Sequence, residues 1–507
     1  MLYNLKKQKG CTMKLFKTTL NTILLLGLTT TANATLKNEK ITLKNNMIVQ
    51  YNKVPKSVDN LSDAFLDGMF YGRLRMNSFY FDWQNEDKNK GAKDTKVMGL
   101  GGSFIYKTAP LYGVSATAGL YTSQNPSWCR EDTDDVARVK AGKDTFSRYD
   151  VSATGNYGMT VLAQGYIQYD ISKTTFEGGR LLFESVFTKS NDTKMIPNSF
   201  DGITMVSKDL PKTTIKLAWL AKQKLRDHTT SHDVIAYKKD DPKTDKRENW
   251  SQNDDSVVNR NLTVEKIGDN NSLLIAAVSN KSIKNLKLDL SYAAVPDVLS
   301  NVVAEVNYAI PIGKSFKIVP GVRYMQQFDQ LNADYEVANL LTNQTGYKNS
   351  AKKSLDTYLW AARLDMKTKA FLLRIAYSQV ADEADIVTPW RGFPTGGYTR
   401  AMGQYNWFAN TKTYLAKVSY DFGKANILKG FSIVGEYAIQ DFDNDKDGVF
   451  SDSNVIHFDL RQNIGKHAQA KFRCGFLNAD DNIKKSNGQN KKDISYNEYR
   501  FELNYFF

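Results

Sequence analysis

From residue 69 to the C-terminus the chain keeps returning to one pattern: apolar and polar side chains alternate over about ten residues, then a polar turn intervenes. Period-two alternation puts the two sets on opposite faces of a β-strand. Eighteen such segments begin near residues 69, 96, 112, 157, 174, 200, 213, 272, 286, 301, 316, 354, 370, 411, 431, 453, 468 and 495. In the first, Phe70, Leu74, Met76 and Tyr80 share one face, and Arg73, Arg75 and Asn77 the other. Further on, Tyr358, Trp360, Ala362, Leu364 and Met366 oppose Arg363 and Asp365, and Phe371, Leu373, Ile375 and Tyr377 oppose Arg374. Ile456, Phe458 and Leu460 oppose His457, Asp459 and Arg461, while Ala470, Phe472, Cys474 and Phe476 oppose Lys471 and Arg473.

The connections alternate as well. Those at 108–111, 171–173, 209–212, 311–315, 367–369 and 464–467 are short; those at 82–95, 122–156, 221–271, 328–353, 381–410 and 478–494 are long and polar. Short turns on one side and long loops on the other are the plan of a transmembrane barrel. The expected fold is therefore all-β, a transmembrane antiparallel β-barrel of about eighteen strands over residues 67–507. Such a barrel is wide enough to hold water. Its polar face then lines a lumen, to which Arg73, Arg75, Arg363, Arg374, Arg461 and Arg473 give a positive lining. The 27 Tyr and 26 Phe suffice for the two interfacial girdles.

Both ends of the chain agree with export. Residues 13–34 read as a signal peptide, with Lys14 and Lys17 at its basic end, Leu20–Leu28 as the apolar centre and cleavage after Ala34. Met1–Thr12 adds a basic extension, so Met1 and Met13 are both candidate starts. At the other end, YRFELNYFF alternates Tyr499, Phe501, Leu503, Tyr505 and Phe507 with Arg500, Glu502 and Asn504. A strand stopping on an aromatic resembles the signature read by the outer-membrane barrel assembly machinery, with Phe507 as its contact. Residues 35–66 carry no strong period and are expected in the periplasm, too short for a plug domain.

Charge adds a mild bias. The leader holds five lysines and no acid, so its removal lowers the formal +14 to +9. That fits an anion-attracting surface or pore, while export argues against nucleic-acid partners. Cys129 and Cys474 are too distant in sequence and context to suggest a disulfide.

Three stretches resemble the OprD family of outer-membrane porins: LSDAFLDGMFYGRLR (Leu61–Arg75), FEGGRLLFESVFTKSNDTKMIPNSFDGITMVSKDLP (Phe176–Pro211) and TPWRGFPTGGYTRAMGQYNW (Thr388–Trp407). With the closing strand, the likeness spans residues 61–507. It implies an eighteen-stranded barrel with a narrow pore, a third loop folded into the lumen and a ladder of basic side chains that guides a carboxylate. Arg180 matches the family's Gly-Arg strand, and Asn191, Asp192 and Lys194 fall on its Asn-Asp-x-Arg pattern. Lys194 departs from the arginine common there, which removes a bidentate fork for carboxylate. A filter also needs opposed charges at close range; Glu184, Asp192 and Asp201 with Arg180, Lys189 and Lys194 supply both signs.

Other constellations are weaker. Asp443, Asp445 and Asp447, followed by Gly448, have the spacing of a calcium loop, but Asn454 stands where the bidentate Glu belongs. His228 and His232 sit beside Asp227 and Asp233 in a long polar connection, without a plausible nucleophile. The expectation is a passive, partly selective outer-membrane porin, not an enzyme and without cofactor, for amino acids, peptides or small carboxylates. Its surroundings would be outer-membrane lipid and lipopolysaccharide. A surface adhesin or structural barrel acting through its long loops is the alternative, and monomer and homotrimer both remain open.

Overall fold

The computed structural model describes residues 41–44, 46–52, 55–87, 91–235, 271–331 and 354–507. The expected leader with Ala34 lies outside the described residues, as do most of the connections at 221–271 and 328–353.

The alternating segments become the staves of a closed antiparallel barrel. In chain order they are β1 (Met69–Trp83), β2 (Thr95–Lys107), β3 (Val114–Gln124), β4 (Gly158–Ile171), β5 (Thr174–Leu181), β6 (Ser199–Ser207), β7 (Thr213–Lys224), β8 (Leu273–Asn280) and β9 (Leu286–Val295). They continue with β10 (Leu299–Tyr308, extended by Ile310–Ile312), β11 (Phe316–Asp329), β12 (Thr357–Lys367), β13 (Phe371–Val380), β14 (Lys412–Asp421), β15 (Phe431–Asp441), β16 (Ser453–Ile464), β17 (Ala468–Ala479) and β18 (Tyr496–Phe506). The two parts of β10 pair with the same neighbour, so the wall has eighteen staves. All begin within three residues of the expected positions. One long-loop side connection, residues 296–298 between β9 and β10, is short.

Closure is made by β18 on β1, in register from Tyr496↔Trp83 to Phe506↔Arg73. Every backbone donor and acceptor of a stave can then find a partner in the next, which the hydrocarbon layer demands. Alternation sorts the faces. In β1, Phe70 (56% exposed) and Leu74 (50%) look outward, while Arg73 (1%) and Arg75 (3%) look inward. Ile203, Leu290, Val322, Ile375 and Phe458 continue the exposed apolar belt. Outward aromatics form a row across β11 to β14, with Trp360–Tyr377 and Tyr377–Tyr414 ring centroids 5.0 and 4.9 Å apart. At the opposite end Phe507 packs against Phe70 and Phe104, at 5.7 and 5.9 Å. Tyrosine and phenylalanine rings at two levels of an apolar belt are what a bilayer-spanning wall carries.

The interior is not empty. Residues 182–198, between β5 and β6, and residues 381–411, between β13 and β14, pack on inward-facing side chains. Leu181, Phe183, Phe187, Phe200, Trp390, Tyr398 and Trp407 form one buried cluster with inner residues of β7 to β13. One expectation is corrected here. Within residues 35–66, a short hairpin, Ile41–Leu43 with Val49–Tyr51, buries Ile41 and Val49 against the inward-facing Tyr71, Ile105, Tyr121 and Phe506. Strands of three residues are too short for their period to be read from the sequence. After the hairpin, the helix Leu61–Leu66 is capped by Asn60, whose side chain accepts from the Asp63 amide. It rests on the β2–β3 turn, with Ala109 N donating to Ala64 O at 2.8 Å.

Candidate functional site

The inner wall carries charged side chains at period-two positions, and neighbouring staves place opposite signs side by side. On β10 and β11, Arg323 forks onto Glu305 at 2.5 and 2.9 Å. On β12, Arg363 donates to Asn307 at 2.6 Å and lies 3.5 Å from Glu305. Arg374 of β13 grips Asp365 of β12 with both arms, at 2.6 and 2.9 Å. The series continues through Lys417–Glu436 (2.6 Å), Glu436–His457 (2.8 Å), His457–Asp459 (3.0 Å) and Asp459–Arg473 (2.5 Å). Paired guanidinium and carboxylate groups tolerate the inner wall because each satisfies the other's charge and hydrogen bonds.

The segment 182–198 docks on this wall at β1. Asp192 accepts from Arg73 at 2.5 Å and from Arg75 at 2.9 Å, and Arg75 also donates to Glu502 of β18 at 2.7 Å. Asn77 donates to the carbonyls of Lys194 (2.8 Å) and Thr193 (3.2 Å). Asn191 takes the left-handed region, φ 44°, a conformation that asparagine tolerates better than most residues. Lys194 lies over the Phe79 ring, 4.2 Å from its centroid. Burial, with Arg500 adjacent, pushes its ammonium pKa well below the usual lysine range. Where an arginine would present a fork, this lysine instead rests its amine on an aromatic face.

The segment's other arm meets residues 388–407. Lys189 N donates to Trp390 O at 3.1 Å, and Gly392 N to Phe187 O at 2.9 Å. A Cβ at Gly392 would come within 2.1 Å of that same carbonyl, so only glycine fits. The 394–397 turn is tied to the wall by arginines: Arg323 donates to Pro394 O (2.7 Å) and Gly396 O (3.0 Å), and Arg363 and Arg374 each reach Gly397 O at 2.6 Å.

Between these two segments and the wall of β7 to β11 lies a cavity of about 690 Å³. Four cations (Lys189, Lys216, Lys287, Arg323) and three carboxylates (Glu184, Asp289, Glu305) border it. Lys216 donates to Glu184 O at 2.7 Å, and Lys189 stands 3.4 Å from the Glu184 carboxylate. Lys287 pairs with Asp289 at 2.6 Å.

The residues expected in a basic lumen therefore separate into groups. Arg73, Arg75 and Asp192 come together, but as a buried knot under the docked segment rather than an open lining. Glu184 and Lys189 border the cavity. Arg363 and Arg374 converge on Gly397, and Arg473 joins Asp459; Arg461 lies inward on β16, half-buried. Arg180 and Asp201 correct the expectation of a constriction pair. They bind each other at 2.6 and 3.0 Å, and Arg180 also holds Ser231 at 2.8 Å. Their neighbours Leu181 and Phe200 are fully buried in the internal cluster, so alternation turns Arg180 and Asp201 to the other face of the wall. Sequence reading missed Glu305, Arg323, Lys216, Lys287, Asp289 and Glu436 as site residues. Their signal is the same period-two pattern: Lys287 and Asp289 alternate with Leu286, Leu288 and Leu290.

Two further constellations resolve plainly. No group of three metal-ligating side chains converges among the described residues. Asp443 instead holds the Lys446 ammonium and accepts from Asn410 at 3.0 Å, while Asp447 accepts from Ser486 N at 2.7 Å. An ammonium stands where the spacing suggested calcium. His228 and His232 are buried with ring centroids 4.9 Å apart. Burial lowers both, His228 with help from its neighbour His232, and His232 to about 4.

Comparison with known proteins bears on this geometry. A family model described as outer membrane porin, OprD family, matches residues 142–438. The fold is similar to that of Acinetobacter baumannii OccAB4, at 13% identity and TM-score 0.64 over 87% of this chain and 98% of that one. It is similar to a BenF-like porin from Pseudomonas fluorescens Pf-5, at 11% identity and TM-score 0.63 over 88% and 99%. Pseudomonas aeruginosa OpdK with vanillate aligns at 11% identity and TM-score 0.60 over 86% and 98%. No curated protein matches the sequence.

Proposed function

The chain belongs to the OprD family of outer membrane porins, and from that premise we propose that it is a partly selective channel whose water path runs along β7 to β11. The coarse function follows from the family: a passive channel of the bacterial outer membrane for small solutes, not an enzyme. The finer reading rests on one observation, the mixed-charge cavity between the 184–189 tip, the 393–397 turn and the wall. Charges of both signs on opposed walls orient a solute carrying both a carboxylate and an ammonium, and one excess cation leaves a mild preference for anions. Amino acids and short peptides fit that description, and the anion preference admits small carboxylates. The solved OpdK structure contains vanillate, a carboxylate, which supports this solute class.

In this reading the Arg73–Asp192–Arg75 knot sets the position of the third loop, and Lys216 and Lys287 face the passing solute. Planar-bilayer recordings across a salt gradient test it. The wild type should give discrete openings with a reversal potential on the anion side. The double variant Lys216→Glu, Lys287→Glu should move that potential toward cation selectivity. An unchanged reversal potential in the double variant would place the path elsewhere.

A further inference from the structure

The hairpin formed by Ile41–Leu43 and Val49–Tyr51 pairs Ile41 with Tyr51, and its strands are tied by Met47 N donating to Lys44 O and Lys44 N to Ile48 O, each at 2.9 Å. Two strands of this length are not stable alone in water; their stability must come from what they cover. Ile41 and Val49, each 4% exposed, pack against Tyr71, Ile105, Tyr121 and Phe506. These wall residues share the inward face with Arg73 and Arg75, so without the hairpin an apolar patch would face lumen water. The same cluster contains Met195 and Ile196 of the third loop.

The hairpin enters from the short-turn end, where Tyr51 Oη donates to Met69 O at 2.8 Å, at the very start of β1. Its tip reaches further. Met47, in the left-handed region at φ 67° and 2% exposed, sits in a gap bordered by Asn77, Thr193, Arg500 and Glu502. That is the level at which Asn77 and Arg75 hold the third loop. The opposite hairpin face, with Thr42, Lys44 and Gln50, is exposed. One face therefore seals against wall and loop while the other is polar and wet.

We propose that residues 41–51 are an intraluminal wedge that braces the 192–196 arm of the third loop from the periplasmic side and confines solutes to the path along β7 to β11. The inference rests on the channel reading and adds a second selectivity element to it. A two-stranded ribbon with its side chains is about 10 Å wide and about 10 Å thick. That section is comparable with a narrow pore, so its removal should raise conductance about twofold or more.

Two measurements on the full chain in planar bilayers decide it. Deletion of residues 41–51 should raise unitary conductance and weaken discrimination between glutamate and chloride. Independently, Lys44→Cys, in a chain carrying Cys129→Ser and Cys474→Ala, is exposed to a charged methanethiosulfonate reagent on the periplasmic side. Modification should lower the current in a discrete step, because Lys44 faces the water path. A conducting wild type whose current neither the deletion nor the modification alters would overturn the wedge and leave the channel reading standing. A wild type without conductance would remove both. Should the deletion fail to assemble, the labelling result decides alone.

Discussion

Replacing Asp192 with alanine tests how the third loop is held. The carboxylate is 1% exposed and lies between two guanidinium groups that are 1% and 0% exposed, at 2.5 and 2.9 Å. Removing one partner of a buried ion pair leaves an uncompensated charge and destabilises by roughly 3–5 kcal/mol. Arg75 keeps Glu502 at 2.7 Å, so Arg73 bears most of the loss. Asn77, Arg226, which donates to Asn191 O at 3.4 Å and Thr193 Oγ1 at 3.2 Å, and the backbone bonds to residues 390–392 still hold the loop, which favours local release over collapse of the barrel. At 1.4 kcal/mol per decade, a loss of about 3 kcal/mol raises the undocked population roughly a hundredfold. A loop undocked in about one molecule per thousand would then be undocked in about a tenth of them. Single-channel records should show a noisier current with excursions to a larger conductance, and heat-modifiable migration of the folded barrel should persist. Asp192→Glu, which keeps the charge, should be intermediate. Quiet openings of wild-type size from Asp192→Ala would refute the reasoning, because they would mean that the knot does not position the loop.

Four other outcomes are expected. Acidification should loosen the segment after β7: His232 keeps a pKa of about 4 when docked and near its ordinary 6.5 when released. The released form therefore gains protons first, and stability present above pH 6.5 is lost as pH falls toward 4, by about 3 kcal/mol at most; increased proteolysis of residues 225–235 at pH 4.5 would register it, and equal cleavage at pH 7 and 4.5 would count against it. Deleting Phe507 removes the ring packed on Phe70 and Phe104 and should reduce the yield of heat-modifiable barrel in membranes severalfold, with normal yield as the contrary result. Calcium at millimolar concentration should give no binding heat in calorimetry, because Lys446 occupies the Asp443 carboxylate, whereas Lys446→Ala should lower the protease resistance of residues 442–452.

The wall was legible because its physics is local. A stave buried in lipid on one side and wetted on the other must alternate, and that pattern is visible within ten residues, as in β1 or β16. Which inward side chains border open water was not legible. Arg73 and Arg75 read as lining, yet their fate depends on Asp192, more than a hundred residues away. Arg180 was misread for another reason. Arg180 shares its parity with the exposed Phe176 and opposes the buried Leu181, so it turns outward by alternation, but Gly178 and Gly179 interrupt the pattern that would have shown it. The hairpin at 41–51 escaped because three residues carry no measurable period. The Asp443 loop shows the opposite failure, a motif complete in spacing but occupied by a lysine from within it.

The seam between β1 and β18 carries an implication for the order of assembly. Residues 496–506 are synthesised long after residues 73–83, yet the two pair. Until they arrive, the nascent sheet has two unpaired edges, and such long-range pairing is slow and leaves the edges prone to aggregation. Arg75 belongs to one edge and Glu502 to the other, and Arg75 also holds Asp192. Zipping β18 onto β1 thus completes the grip on the third loop in the same motion.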